Sequence, residues 1–425
     1  MNSLPAILFP SARRCGTAMI LLFALVPMAS AATGFVQVRG REFVLPSGEP
    51  MRLKGINLGN WLNPEGYMLQ LDEDLGAWQI DQVFRELVGD FRTDAFWTAW
   101  RKAYITREDI RFIAAAGFNS IRVPFSWRLL ADARPPYALD GPGWAILEQL
   151  VDWCHESGIR VIFDLHSAPG GQTGMNIDDS YGRPFLFDDP EAEALTIRIW
   201  TEIARRFARE PAVLGYNLLN EPMADFFDEK AYFPRLEPFF RRVIAAVRTV
   251  DQDHIIILGG ARWDKDIETL HPPHGPNVAY TFHFYSGFIN ERTAVLDDIR
   301  RYVDFRARYD VPVWLGESGE TGMPWIRDFR RLLEAQDIGW CFWPYKKLGA
   351  DTCIASVTPP EGWATITAFS KEPRTHYADL RRTAPPQEAA RRMLDALLQN
   401  IRLQRCHVNR PYLEALGLNA AAQPD

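Results

Sequence analysis

The chain has 425 residues, 47% apolar and 24% charged, with a formal net charge of −7. That length holds one large α/β barrel or two ordinary domains, and the composition is that of a globular protein. The mild acidity, without a basic stripe, gives nucleic-acid binding no support.

The N-terminus reads as a targeting segment. Arg13 and Arg14 precede an apolar stretch from Thr17 to Met28, and Ala29-Ser30-Ala31-Ala32 follow. This is a charged region, an apolar region and a small-residue cleavage site. The apolar stretch is shorter than the ~20 residues of a membrane span, with an uncleaved anchor as the alternative. A signal peptide over 1–32 is expected, and a secreted or periplasmic protein with no membrane attachment after its removal. Cys15 lies before the apolar stretch and is not placed for lipid modification. The mature chain keeps Cys154, Cys341, Cys353 and Cys406. Export permits disulfides, and sequence does not choose among the pairings. No C-x-x-C or H-x-x-x-H spacing points to a metal, and neither metal nor cofactor is expected.

The mature chain opens with strand-like residues 34–44 and 50–57 around a Pro46-Ser47-Gly48 turn. Short apolar runs then fit buried parallel strands at 53–57, 120–124, 160–166, 214–221, 255–259, 279–285, 313–317 and 339–343. Helices are expected between them. The segment 106–116 has Thr106 at its N-cap, Asp109 three residues on and Gly117 as its stop. The others are 143–157, 190–209, 233–250, 296–309 and 325–336. Alternating β and α units indicate a parallel sheet, and eight of them a (β/α)8 TIM barrel over 33–372. An open doubly wound sheet is the competitor, weakened by the lack of a Gly-rich loop after the first strand. After Pro385-Pro386 the tail of 373–425 reads as helices 388–405 and 411–416, without strands or catalytic groups, packed on the barrel.

In such a barrel the catalytic groups gather at the C-terminal ends of strands. Those ends carry Asn57, Arg122, His166, Asn220 with Glu221, His283 with Tyr285, Glu317 and Trp343. Two apolar runs, Gly215-Tyr216-Asn217-Leu218-Leu219-Asn220-Glu221 and Val313-Trp314-Leu315-Gly316-Glu317, stop on a glutamate. An unpaired buried carboxylate is costly, so the pair points to one pocket, and paired carboxylates are the equipment of glycoside hydrolysis. Neighbours suggest supporting parts. Asn220 is placed for a sugar 2-hydroxyl, His283 and Tyr285 for hydrogen bonds to Glu317, Arg122 for its charge, and Trp343 for the floor under the reacting sugar. The 14 tryptophans suit either a large core or a cleft lined by flat rings.

The motifs Gly117-Phe118-Asn119-Ser120-Ile121-Arg122-Val123-Pro124, Asp164-Leu165-His166, Leu219-Asn220-Glu221-Pro222, His283-Phe284-Tyr285, Gly316-Glu317 and Phe342-Trp343, in that order, resemble glycoside hydrolase family 5. The resemblance implies Glu221 as acid/base and Glu317 as nucleophile. Gly55-Ile56-Asn57-Leu58-Gly59-Asn60-Trp61 and Asp164–Gln172 are similar to the exo-β-1,3-glucanase branch and its bacterial relatives. In that branch a glutamate at the place of Glu65 grips the terminal sugar. The chain departs from it at Asn60 (usually Gly), at Pro64-Glu65-Gly66 and at Pro344-Tyr345-Lys346-Lys347, which leaves the sugar open.

Glu320, three residues after Glu317, is a decoy, and Ser318 lacks the G-x-S-x-G setting of a nucleophile elbow. Asp178-Asp179 and Trp263-Asp264 are either substrate-binding loop residues or ordinary solvated ones. Calcium at Asp178, Asp179, Asp188 and Asp189 has no EF-hand spacing behind it. The insertion of 64–104 tilts the expectation toward exo action. The expected function is a monomeric retaining β-glycosidase acting on a polysaccharide or oligosaccharide, a β-glucan first. Alternatives are the same mechanism on β-mannan, xylan side chains or furanosides, transglycosylation, and an inactive carbohydrate-binding barrel.

Overall fold

Strand β1 (Gln37–Arg39) and strand β2 (Glu42–Val44) pair antiparallel below the barrel in a computed structural model that describes residues 34–285 and 292–424. The expected signal segment and Cys15 lie outside the described residues. The hairpin turn falls at Gly40-Arg41, with Gly40 at φ 56°, not at Pro46-Ser47-Gly48. Glycine takes a positive φ at no steric cost, and Gly40 serves that turn. The Pro46 turn instead brings Pro50 back to a single bridge with Val44.

The eight barrel strands are β3 (Lys54–Asn57), β4 (Ser120–Ser126), β5 (Arg160–Ser167), β6 (Val213–Asn217), β7 (Ile255–Gly259), β8 (Val278–His283), β9 (Val313–Glu317) and β10 (Trp340–Phe342). They pair parallel in chain order, and β10 closes on β3. Both faces of each strand are covered, so runs such as Ile255-Ile256-Ile257-Leu258 are apolar throughout. Alternation still divides them. Leu53, Ile162, Leu214, Ile255, Ile257, Ala279 and Trp314 fill the barrel's lower interior, where Val36 and Phe43 of the hairpin segment close it. Ile56, Ile121, Phe163, Ile256, Leu258 and Phe282 face the helices. Above the apolar interior lies a polar layer with Asn57, Arg122, Asp164, Asn217, His283 and Glu317, all buried.

Helices occupy the connections. Arg107–Ala116 starts on the expected box, with Thr106 N–H donating to Asp109 Oδ2 at 2.8 Å, and ends at Gly117. Gly143–Ser157, Pro190–Phe207, Arg292–Tyr309 and Met323–Ala335 follow. Glu229–Val247 begins four residues earlier than expected, because Asp228 caps it and Pro234 and Pro238 both lie inside it. The insertion after β3 folds into a 3-10 turn, Gly66–Leu69, and two helices, Ala77–Val88 and Asp90–Ala103. The C-terminal extension holds Tyr377–Thr383, Gln387–Asn400 and Arg410–Ala415. Its Leu394, Leu397, Tyr412 and Leu413 share the main core. Contrary to the expectation of no strand, His407–Val408 pairs antiparallel with Ala355–Val357. Two residues are too few for a hydrophobic pattern to betray a strand. Cys154, Cys341, Cys353 and Cys406 are free thiols.

No helix of the described residues is long and apolar enough to cross a membrane.

Candidate active site

The polar layer is organised by Arg122. The register sets Arg122 of β4 beside Asn57 of β3, and its guanidinium is fully buried. It donates to Asn57 Oδ1 (3.1 Å), Asn217 Oδ1 (2.9 Å), Asn220 Oδ1 (2.8 Å) and Glu317 Oε1, and pairs with Asp164 Oδ1 at 3.0 Å. Burial works against its charge, but Asp164 and Glu317 outweigh that and raise its pKa. Fully donated guanidinium forks of this kind are rigid.

Glu317 ends β9 with its other oxygen 3.0 Å from the Tyr285 hydroxyl, which donates to it. A register shift between Phe282 and His283 sets His283 directly beside Glu317. His283 Nδ1 lies 2.8 Å from Glu221 Oε1 and 3.6 Å from Glu317 Oε2. Burial first of all lowers the imidazole's pKa, to about 3, so the ring is neutral.

Glu221 stands past the end of its strand. The β6 ladder stops at Asn217, short of the expected 214–221. Leu218 and Asn220 then hydrogen-bond across to Ile257 and Leu165 through their backbone N–H groups. Glu221 itself adopts φ 45°, which turns the chain. Left-handed backbone at a non-glycine residue is uncommon and marks functional turns. Its N–H donates to Asp264 Oδ2 at 3.0 Å. Burial raises its carboxyl to about 7, against the lowering charges of His166, Lys265 and Arg122.

One carboxylate oxygen of Glu221, one ring nitrogen of His283 and one carboxylate oxygen of Glu317 lie within 4.8 Å of one another.

A cleft of about 340 Å³ opens over this centre. Glu65, Tyr67, His166, Asn220, Tyr285 and Trp343 line it with the two glutamates. His166 Nδ1 lies 2.8 Å from Asp164 and its Nε2 3.7 Å from Glu65. Burial opposes its charge, but the two carboxylates outweigh that and push its pKa up to about 10. Trp343 stacks on His166 at 5.7 Å and 6°. Glu65 Oε1 is buried without a hydrogen-bond partner among the described residues. Asn60 explains its own departure from glycine, since it sits at φ 65° and its Oδ1 accepts from Glu65 N–H at 3.1 Å. Asparagine tolerates that region better than most residues.

The structure thus gathers all nine expected site residues: Glu65, Arg122, His166, Asn220, Glu221, His283, Tyr285, Glu317 and Trp343. Others were not expected there. Tyr67 accepts from Trp343 Nε1 at 2.8 Å. Lys347 lies over the Tyr67 ring at 4.4 Å and pairs with Glu320. Lys346, beside it, is buried against Asp109 at 2.6 Å, which anchors the segment after Trp343. Lys265 also lines the cleft, beside Trp263, which the sequence offers as either a substrate-binding or a solvated loop residue.

Asp178 and Asp179 are buried rather than solvated, and neither is among the residues lining the cleft. Asp178 accepts from the N–H of Gly174 (2.9 Å) and Ser180 (3.0 Å), and Asp179 from Trp78 N–H (2.6 Å) and Arg128 Nε (2.8 Å). They build the loop after β5. An acidic dipeptide in a loop gives no sign of facing inward.

The family model for "Cellulase (glycosyl hydrolase family 5)" matches residues 86–349. A β-xylosidase of Phanerodontia chrysosporium is 26% identical over 74% of this chain and 71% of its own. A probable glucan 1,3-beta-glucosidase A of Aspergillus clavatus is 26% identical over 76% of each. Endoglucanase C of Acetivibrio thermocellus is 22% identical over 58% of this chain and 85% of its own. Among solved structures, Thermotoga maritima Cel5A with cellobiose superposes with a TM-score of 0.53 at 18% identity, covering 86% of this chain and 97% of that one. An endogalactoceramidase does so at 0.58 and 23%, covering 74% and 76%. These two show the shared fold.

Proposed function

The chain belongs to glycosyl hydrolase family 5, and on that premise we propose that it is an exported, retaining β-glycosidase cleaving a β-glucan or its oligosaccharides. The observation that carries this reading is the approach of the Glu221 and Glu317 carboxylate oxygens to within 4.8 Å. Retaining enzymes hold their two carboxyl groups ~5–5.5 Å apart, and inverting ones ~6.5–9.5 Å, to leave room for water.

The roles follow from surroundings. Glu317, clamped by Arg122 and Tyr285, attacks the anomeric carbon while Glu221 gives its proton to the departing oxygen. The glycosyl–Glu317 ester is then opened by water, which loses its proton to the Glu221 carboxylate. A glutamate buried enough to titrate near neutrality suits both tasks. With Glu221 at about 7, kcat/KM for a natural glycoside is expected to hold below neutral pH and fall above it. Protonated Glu221 is lost as pH rises through that value. A pH profile that stays flat to pH 9 would contradict this.

Glu65, whose buried Oε1 has a 3.7 Å ion contact with His166 but no hydrogen bond, is placed to accept from hydroxyls of the sugar on the glycone side. Tyr67, Trp343 and Glu320 line the same cleft, with Lys347 packed over Tyr67 and paired with Glu320, and a crowded cleft of this kind favours release of one sugar from a chain end. The names of the relatives, β-xylosidase and glucan 1,3-beta-glucosidase, make glucose and xylose the sugars to test first. Gly59 keeps Trp343 in place, since a Cβ there would lie 2.4 Å from Trp343 Cη2. Gly59→Ala is therefore expected to shift the ring, lower kcat/KM by on the order of 10²-fold and lower the melting temperature, since overpacking costs about 1–3 kcal/mol.

Product analysis tests the whole reading. Laminarin, cellulose oligomers, mannan, xylan, aryl glucosides, aryl xylosides and aryl furanosides are each incubated with the protein and with Glu317→Ala. Monosaccharide from laminarin, absent with the variant, is the expected result. Oligosaccharide products would overturn the exo reading, and activity confined to another sugar would overturn the glucan. N-terminal sequencing of protein recovered outside the cytoplasm, expected to begin at Thr33, tests export.

A further inference from the structure

Asp264 is a buried carboxyl that the two-step reaction leaves without a task. It is fully buried in a run of three left-handed residues, Arg262 (φ 55°), Trp263 (57°) and Asp264 (59°). Arg262 anchors that run to Glu229, with contacts of 2.9 and 2.6 Å. Gly259 makes room below, since a Cβ there would come within 1.7 Å of Asp264 Oδ1. Three strained residues and a glycine are thus spent on bringing one carboxyl under the catalytic pair.

Its surroundings fix its protonation. Oδ2 accepts from Glu221 N–H at 3.0 Å and faces His283 Nε2 at 3.4 Å. Oδ1 and His283 Nε2 have no hydrogen-bond partner among the described residues. An ionised carboxylate with one oxygen buried and orphaned is costly. The charged groups that face it are Glu221, Glu317 and Arg122, with Lys265 next in the chain and the Tyr302 hydroxyl donating to Lys265 O at 2.9 Å. Burial first, and the charges of Glu221 and Glu317, lift the carboxyl well above the usual range, against the Glu221 N–H and Arg122.

A neutral imidazole has one N–H to place. We propose that Asp264 is a positioning residue: as a neutral acid it donates from Oδ2 to His283 Nε2, fixes the ring proton on Nδ1, and so aims an N–H at Glu221 Oε1. The proposal rests on Glu221 as the acid/base. Burial favours the protonated glutamate that the first half-reaction needs. The Nδ1–H bond favours the carboxylate that the second half-reaction needs. The two oppose each other and leave Glu221 close to neutrality, where one group serves both steps.

Asp264→Asn separates these effects. Glu221 N–H requires an acceptor, so the amide oxygen takes the place of Oδ2 and can only accept from Nε2. The ring proton then moves to Nε2, and Nδ1 turns a lone pair toward Glu221, which favours the protonated glutamate. Long-range 15N–1H spectra of the full chain, with His283 assigned by His283→Gln, report the tautomer without any turnover. The expected result is Nδ1–H in the wild type and Nε2–H in Asp264→Asn. With an aryl glycoside, kcat, limited by the second half-reaction, is expected to fall about tenfold, and with a natural glycoside the basic limb of kcat/KM is expected to move up by about one pH unit. A merely structural residue would move neither the tautomer nor the limb. An Nε2–H tautomer in the wild type, or no change in the variant, overturns the inference. The wild-type spectrum decides alone if the variant fails to fold. A wild type that cleaves no glycoside would instead overturn the reading of Glu221, whatever the tautomer.

Discussion

Glu317→Ala is expected to lower kcat for an activated aryl β-glycoside by on the order of 10⁵-fold or more, the scale seen when a covalent nucleophile is removed. The reason lies in what surrounds it. Arg122 and Tyr285 hold both oxygens of Glu317, and among the described residues no other carboxylate is held by that pair. Glu320, three residues on, is turned away into its pair with Lys347. Azide distinguishes this loss from simple misfolding. In Glu317→Ala the vacated space admits the anion, which attacks the anomeric carbon from the nucleophile's face and yields the α-glycosyl azide. In Glu221→Ala the first half-reaction still proceeds with a good aryl leaving group, and azide opens the glycosyl–Glu317 ester to give the β-glycosyl azide. The same anomer from both variants, or full activity in Glu317→Ala, would remove Glu317 from its role.

The barrel was legible because parallel strands buried on both faces leave uninterrupted apolar runs, and such runs stop where the polar layer begins. Glu221 and Glu317 stood out for that reason, as apolar segments ending on an acid. The parts that escaped depend on backbone conformation and on distant pairing. Asp264 reads as either a substrate-binding or an ordinary solvated loop acid, and only three consecutive left-handed residues, which fold it under Glu221, bury it. Tyr67 and Trp343, whose side chains touch, are 276 positions apart, and no local pattern links them. Asn60 was visible as a departure from glycine, but its reason, a positive φ beside Glu65, is a property of the folded chain. The insertion of 64–104 was visible as a length; its helices were not, because the flanking strands drew the alternation and the insertion belongs to no β/α repeat.

Arg122→Leu is the second large effect, and here stability and activity fall together. The guanidinium is fully buried and supplies both Asp164 and Glu317 with a counter-charge. Breaking a buried pair from one side leaves the other side's charge uncompensated, at a cost of about 3–5 kcal/mol. Removing Arg122 leaves Glu317 without a cation and Asp164 with His166 alone, together with the acceptor oxygens of Asn57, Asn217 and Asn220. A denaturant midpoint with unchanged slope measures the loss. Arg122→Lys is expected to recover little, because one ammonium cannot reach all five partners of the guanidinium. The double variant Arg122→Leu, Asp164→Asn is expected to regain part of the stability and none of the activity, since it removes a buried carboxylate left with one of its two cations but leaves Glu317 unclamped. That non-additivity is what a shared network requires. Strictly additive losses would mean that Arg122 and Asp164 act separately, and that the polar layer is an accumulation of pairs rather than one unit built around the nucleophile.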